Sequence, residues 1–168
     1  MKNLILTLVL ILSALGTQAQ TKLGTIDAEY ILAQMPENSK VEDSLKAYNL
    51  TLQEDLQATI KKYETAVADY QANNTTYTEE IKKTKEGEII GMENEIKNFR
   101  QKASLLLQMK RNELTSPLYK KIDEAMKAVI SSEGYTQILN VTTNGLAYAD
   151  PKFDITDTVL QKLGLSAK

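Results

Sequence analysis

The chain has no cysteine, no histidine and no tryptophan in its 168 residues. Each absence removes a class of chemistry. Without cysteine no disulfide can staple the fold, even in an oxidising compartment. A zinc site of the usual Cys/His kind is excluded. Neither a thiol nor a histidine-assisted serine is available as a nucleophile. No side chain has an unperturbed pKa near neutrality. A surplus of positive charge is also missing: 20 basic residues face 22 acidic ones, for a net charge of −2. That balance points away from nucleic acid, which favours a basic face. No Walker-type phosphate loop occurs, so no nucleotide cofactor is expected, and none of any other kind. Glu93 and Glu95 are two apart and do not face each other on a helix, so they make no catalytic pair. Asp150, Asp154 and Asp157 lack the glycine and closing glutamate of a calcium loop. The chain is not expected to be an enzyme or to hold a metal.

The N-terminus carries an address. Met1-Lys2-Asn3 is a short basic head, and Leu4–Leu15 is an apolar run too short to span a bilayer comfortably. Thr17-Gln18-Ala19 supplies small residues of the kind a signal peptidase reads. Residues 1–19 are expected to be a secretory signal, cut before Gln20. No cysteine follows the apolar run, which argues against a lipid anchor, and no second long apolar run exists. The mature protein is therefore expected to be soluble, with about 150 residues in one domain.

What the sequence does have is an apolar repeat from about Ser39 to Ser132. It runs Val41, Leu45, Tyr48, Leu52, Leu56, Ile60, Tyr63, Val67 and Tyr70. It resumes at Met92, Ile96, Phe99, Ala103 and Leu106. Spacings alternating between three and four put these residues on one narrow stripe of a helix. So narrow a stripe is the seam of a coiled coil. The stretch Asn73-Asn74-Thr75-Thr76 breaks it once. The prediction is two long helices, Ser39 to about Gln71 and Thr78 to about Ser132, folded as an antiparallel hairpin about Asn74. The spacing Leu52, Leu56, Ile60 inserts a stutter. Gly87 and Gly91 make a soft point in the second helix, and Pro117 is expected to kink it where the arm meets the body.

The remainder reads as a small body. Lys22–Ile26 is a strand candidate, and Asp27 caps a short helix, Ala28–Gln34, that ends at Met35-Pro36. Tyr135–Val141 reads as a second strand. Asn144-Gly145 signals a hairpin turn, with Leu146–Ala149 returning as a third strand. Asp154 or Thr156 caps a closing helix to about Leu163. The expected divisions are 1–19 signal, 20–38 body, 39–111 arm and 112–168 body. The fold class is α+β, predominantly α: a long antiparallel coiled-coil hairpin on a small β body. Three short strands are marginal alone, and their edges invite pairing with other copies. Oligomerisation is a usual remedy for so small a core. Leu23, Ile26, Ile138, Leu139, Val141, Leu146 and Tyr148 are the candidate assembly residues.

The order of parts resembles the Skp/OmpH family of periplasmic chaperones. The resemblance is carried by Lys22-Leu23-Gly24-Thr25-Ile26-Asp27, by Gln34-Met35-Pro36-Glu37, and by Gly134–Leu139 through Asn144-Gly145-Leu146-Ala147-Tyr148 to Asp154–Leu160. It implies a homotrimer in which strands from three chains build a small barrel. Three helical arms hang from that barrel around a cavity, which holds unfolded outer-membrane proteins without ATP. The chain departs from the family in charge, since well-known members are strongly basic. Lys82, Lys83 and Lys85 near the tip are matched by Glu79, Glu80, Glu86 and Glu88 and read as a solvated face. Contact with a membrane surface is left open. The candidate client contacts are Tyr77, Ile81, Ile89, Ile90 and Met92, and the candidate hinge residues are Gly87, Gly91 and Pro117. The alternative is a periplasmic scaffold or spacer whose stiff arms bridge two other proteins.

Overall fold

The structure, a computed structural model, describes residues 21–142 and 145–166. The elements in chain order are β1 (Leu23–Ile26), α1 (Ala28–Gln34), α2 (Glu37–Asn73), α3 (Glu79–Glu133), β2 (Gln137–Asn140) and α4 (Thr156–Lys162). A single 3-10 turn, Pro151–Phe153, precedes α4. The chain is mostly helical with a small sheet, as the patterning predicts, but the sheet has two strands where three are expected. The chain's described residues divide into two compact units, residues 32–121 and the residues before 32 together with those from 122 onward.

In the second unit, β1 and β2 pair in parallel, from Leu23 opposite Gln137 to Ile26 opposite Asn140. Parallel strands need a long crossover, and everything from α1 to α3 serves as it. The Val141 amide donates to the Ile26 carbonyl at 2.9 Å and closes the ladder. On the other side of β1, the Ile155 amide donates to the Thr25 carbonyl at 2.9 Å, so β1 is central. Ile31, Ile155, Val159 and Leu160 are the most deeply buried side chains. Each contributes about 1.5–3 kcal/mol of burial. Polar groups tie the same core together. The Asp27 carboxylate accepts from the Tyr30 amide at 2.8 Å, capping α1 as expected. The Asp27 amide donates to Thr156 Oγ1 at 2.9 Å. Asp154 in turn accepts from the Thr156 amide at 2.8 Å, at the start of α4.

One predicted element does not form. Residues 145–149 are not a strand, so Leu146 and Tyr148 are not members of a β-hairpin. Asn144 lies outside the described residues. The reason is local. Asn140 Oδ1 accepts from both the amide (3.4 Å) and the hydroxyl (3.0 Å) of Thr142. This Asx-type turn diverts the chain as β2 ends, offering an alternative to a ladder. A return strand of four residues has too little to gain on its own.

The helix ends differ slightly from expectation. Helix α2 starts at Glu37, directly after Pro36, and not at Ser39. Proline suits a first turn because its missing N–H would be unpaired there anyway. Thr78 caps α3, its hydroxyl accepting from the Ile81 amide at 3.3 Å. Gly134, at φ 72°, ends α3 in the left-handed conformation that glycine adopts without strain. Helix α3 has 55 residues and runs unbroken through Gly87, Gly91 and Pro117.

Candidate functional site

Residues 32–121 form the arm, and its register follows from contacts across it. Lys121 donates to Glu37 at 2.8 Å and Arg111 to Glu42 at 3.1 Å. Near the tip, the Tyr70 hydroxyl donates to Glu86. These pairs make α2 and α3 antiparallel and centre the fold on Tyr77 and Thr78, not on Asn74. Asn38–Val41 therefore lies level with the stretch between Arg111 and Lys121, farther along α3 than the lengths alone suggested.

The seam residues are the protected ones. Val41, Leu45 and Leu52 are buried, and the other seam positions of α2 and α3 are half-buried. Tyr48, Tyr63 and Tyr70 belong to this seam, as do Phe99 and Met92. The protection thins toward the tip, because no seam residue beyond Leu52 on α2 is fully buried. Two open grooves lie along the arm. One, of about 520 Å³, has Ile60, Tyr63 and Ile96 as its apolar floor and Glu64, Glu93 and Arg100 at its rim. It lies at the stutter, where the seam spacing of α2 slips against that of α3. The other, of about 470 Å³, is lined by Leu45, Asn49 and Leu107 with Lys46, Gln108 and Arg111.

The predicted contact residues do not form one set. Ile81 and Ile90 are exposed, at 43% and 57%. Ile89 and Met92 are half-buried. Tyr77 is half-buried at the tip, with its ring centroid 6.4 Å from that of Tyr70 and its hydroxyl donating to Asp69 at 3.0 Å. Burial and then the Asp69 carboxylate push the Tyr77 phenol up, while Glu86 pushes up that of Tyr70. Both phenols thus stay protonated donors and clasp the turn. Lys82 and Lys85 pair with Glu79 and Glu88 at 2.8 and 3.1 Å, so the tip is a solvated, charge-balanced face. Sequence reasoning missed Leu50, Leu105 and Met109, which are 51%, 56% and 58% exposed. The available signal was an apolar residue lying off the seam.

In the other unit Ile26 is buried, Ile138, Leu139, Val141 and Leu146 are half-buried, and Leu23 and Tyr148 are exposed at 43% and 79%. Gly24 is the tight spot. A Cβ there would lie 2.7 Å from Tyr135 Cε1 and 2.8 Å from Ile138 Cδ1. Lys22 covers the opposite end of this packing. Its ammonium lies 3.8 Å from the Tyr135 ring centroid and donates to the Glu133 carbonyl at 2.8 Å. Among the described residues, no cluster of acidic side chains could hold a metal, and no helix is long and apolar enough to cross a membrane.

A two-helix arm whose strands β1 and β2 are linked through it defines a narrow class of protein. Residues 22–163 match the family model of the OmpH-like outer membrane proteins. The chain belongs to that family. It is 28% identical to the chaperone protein Skp of Yersinia enterocolitica, over 92% of this chain and 93% of that relative. Its fold is similar to a crystal structure of an OmpH-like protein from Caulobacter crescentus, described as a candidate outer membrane chaperone. The TM-score is 0.62 at 15% identity, over 88% of this chain and 86% of that one.

Proposed function

We propose that the chain is a periplasmic holdase that binds unfolded outer-membrane proteins between helical arms without ATP. The observation that carries this is an arm with exposed apolar residues in a member of the OmpH-like family. Leu50, Ile81, Ile90, Leu105 and Met109 offer many weak contacts and no single pocket. Dispersed apolar contacts suit diverse clients, since they make few demands on sequence. In this reading the protein is a homotrimer. Two strands of four residues are too little sheet to stand alone, and strands from three chains would complete the body. The residues Leu23, Ile138, Leu139 and Val141 are the proposed assembly surface, with Leu146 and Tyr148 beside it. The signal sequence is proposed to deliver the chain to the periplasm. The charge-balanced tip supplies no basic patch for an anionic membrane, so binding to lipid is not part of the proposal.

The test is light scattering while an unfolded outer-membrane β-barrel protein is diluted from urea. A several-fold excess of this protein, without nucleotide, is expected to suppress aggregation. No suppression would favour the scaffold reading, in which the arms bridge two folded partners.

A further inference from the structure

One level of the arm lacks charge on both helices at once. Ala47–Gln53 on α2 and Ala103–Met109 on α3 each run seven residues without an ionisable carboxylate or a base. The Glu42–Arg111 pair and the groove shared by Asn49 and Leu107 put these two stretches side by side. Leu50 lies two residues from the seam positions Tyr48 and Leu52, and so faces away from the seam. Leu105 stands two residues from the seam position Ala103 and two from Leu107, which shares a groove with the seam residue Leu45, and is itself exposed. The exposed leucines are thus on opposite outer sides, and the uncharged level goes round the arm.

The α3 flanks of this belt are one-sided in charge, whereas α2 flanks it with Lys46 at one end and with Glu54 and Asp55 at the other. From Ile96 to Asn112, α3 holds five bases, Lys97, Arg100, Lys102, Lys110 and Arg111, and no acid. This occurs in a chain whose net charge is negative. Lys102 and Lys110 bracket the belt directly. Lys110 pairs with Glu113 at 3.0 Å and Arg111 with Glu42 at 3.1 Å. Exposed ion pairs of this kind are weak and can be exchanged for another carboxylate.

We propose that this belt docks an extended apolar segment of a non-native polypeptide whose flanks carry carboxylates. The choice of a polypeptide rests on the holdase reading. The bracket sets a length. Lys102 and Lys110 are eight residues apart, on the order of 12 Å along a helix. An extended chain covers that distance in about four residues. On the α3 side, where Leu105 faces away from α2 and its acids, charge complementarity selects acidic flanks and disfavours a second copy of the same basic stretch. A membrane surface is disfavoured because it needs one continuous apolar face, whereas Leu50 and Leu105 point to opposite sides.

The experiment uses the mature full-length protein and two fluorescein-labelled peptides. Both carry the same four apolar residues, flanked by aspartates in one and lysines in the other. The aspartate peptide is expected to bind at least about tenfold more tightly at low salt, with the difference shrinking as salt screens it. Leu105→Gln with Met109→Gln should weaken it about tenfold, while Ile81→Gln with Ile90→Gln should change it less than about twofold. Lys102→Glu with Lys110→Glu should reverse the preference toward the lysine peptide, a gain that a misfolded protein cannot imitate. Equal binding of the two peptides, or no reversal in the charge variant, overturns the proposal. So does co-sedimentation with phosphatidylglycerol vesicles that the Leu105 and Met109 changes abolish while peptide binding persists. If the unfolded barrel client is held but neither peptide binds, the belt is wrong and the holdase stands. If the aspartate peptide binds but the client aggregates, the holdase falls and the belt stands.

Discussion

Gly24 is fixed by its neighbours. The Tyr135 ring and the Ile138 side chain occupy the space where a Cβ would go. Gly24→Ala must push back a buried ring that Lys22 covers from outside. Overpacking of this sort costs about 1–3 kcal/mol, and urea denaturation should show that loss. Gly87→Ala is the control, because nothing lies within 4 Å of its added methyl. The sequence put Gly24 in a motif but gave no hint of Tyr135, which lies more than a hundred residues away. Local pattern reveals period and turn chemistry. It does not reveal which distant ring a strand will meet. The same limit applies to Glu37, whose partner Lys121 lies across the arm. The bond from Lys121 holds the Glu37 carboxyl below its ordinary value of 4.5. A lowered carboxylate binds fewer protons folded than unfolded, so its contribution is present above 4.5 and fades as pH falls through the lower folded value. Glu37→Gln should therefore lower the melting temperature slightly at neutral pH, leave it unchanged at acid pH where the carboxyl is already protonated, and so make the acid limb of the curve less steep. An unchanged acid limb would mean that the pair is not populated in solution.

Long helices were legible because a period of three and four sustained over many turns has few other readings. Helix ends were legible in part: Ser39, expected to cap the first long helix, lies inside α2, which follows Pro36 without a side-chain cap. Asp27, Thr78 and Gly134 each act at a helix end where their type predicts. The third strand was misread, because Asn144-Gly145 reads as a turn whether or not a strand follows it. What decides is the partner available to Leu146–Ala149, and the Asn140–Thr142 turn leads the chain away from β2. The glycines of α3 pose a sharper question. Helix α3 is continuous through Gly87 and Gly91, yet each glycine costs about 1 kcal/mol against alanine. Both sit in the outer arm, where the seam is only half-buried. Continuity and softness are compatible, since a helix can open briefly without losing its average form. Hydrogen exchange is expected to be faster at Glu86–Met92 than around Leu106. Replacing both glycines with alanine should slow it and stabilise the arm by up to about 2 kcal/mol. Equal protection at the two places in the native chain would show that the glycines are not a hinge.

At the scale of the molecule the question is whether one chain is enough. The sheet is two strands of four residues. Strand β1 is covered on both sides, by β2 and by the Asp154 bridge. The outward side of β2, at Ile138, has no strand against it among the described residues. An uncovered strand with half-buried Ile138 and Leu139 beside it is a template for pairing. If copies complete the sheet there, folding is coupled to association, and the melting midpoint must rise with concentration. A hundredfold dilution should lower it, and sedimentation equilibrium should give a trimer mass. Two substitutions then separate the body from the arm. Val141 closes the β1–β2 ladder and is half-buried. Val141→Asp would place a carboxylate in the proposed inter-chain sheet, where an unpaired charge is costly. It should dissociate the protein at concentrations where the native chain is fully assembled. Lys83 is exposed near the tip, and Lys83→Asp changes the charge by two units where Val141→Asp changes it by one, but outside the proposed inter-chain sheet. It should leave the mass unchanged. A native chain that stays monomeric with a dilution-independent midpoint would remove the trimer, and with it the cavity that the holdase reading requires. If both variants sediment as native trimers, the trimer survives but its contacts lie elsewhere than at the edge of β2.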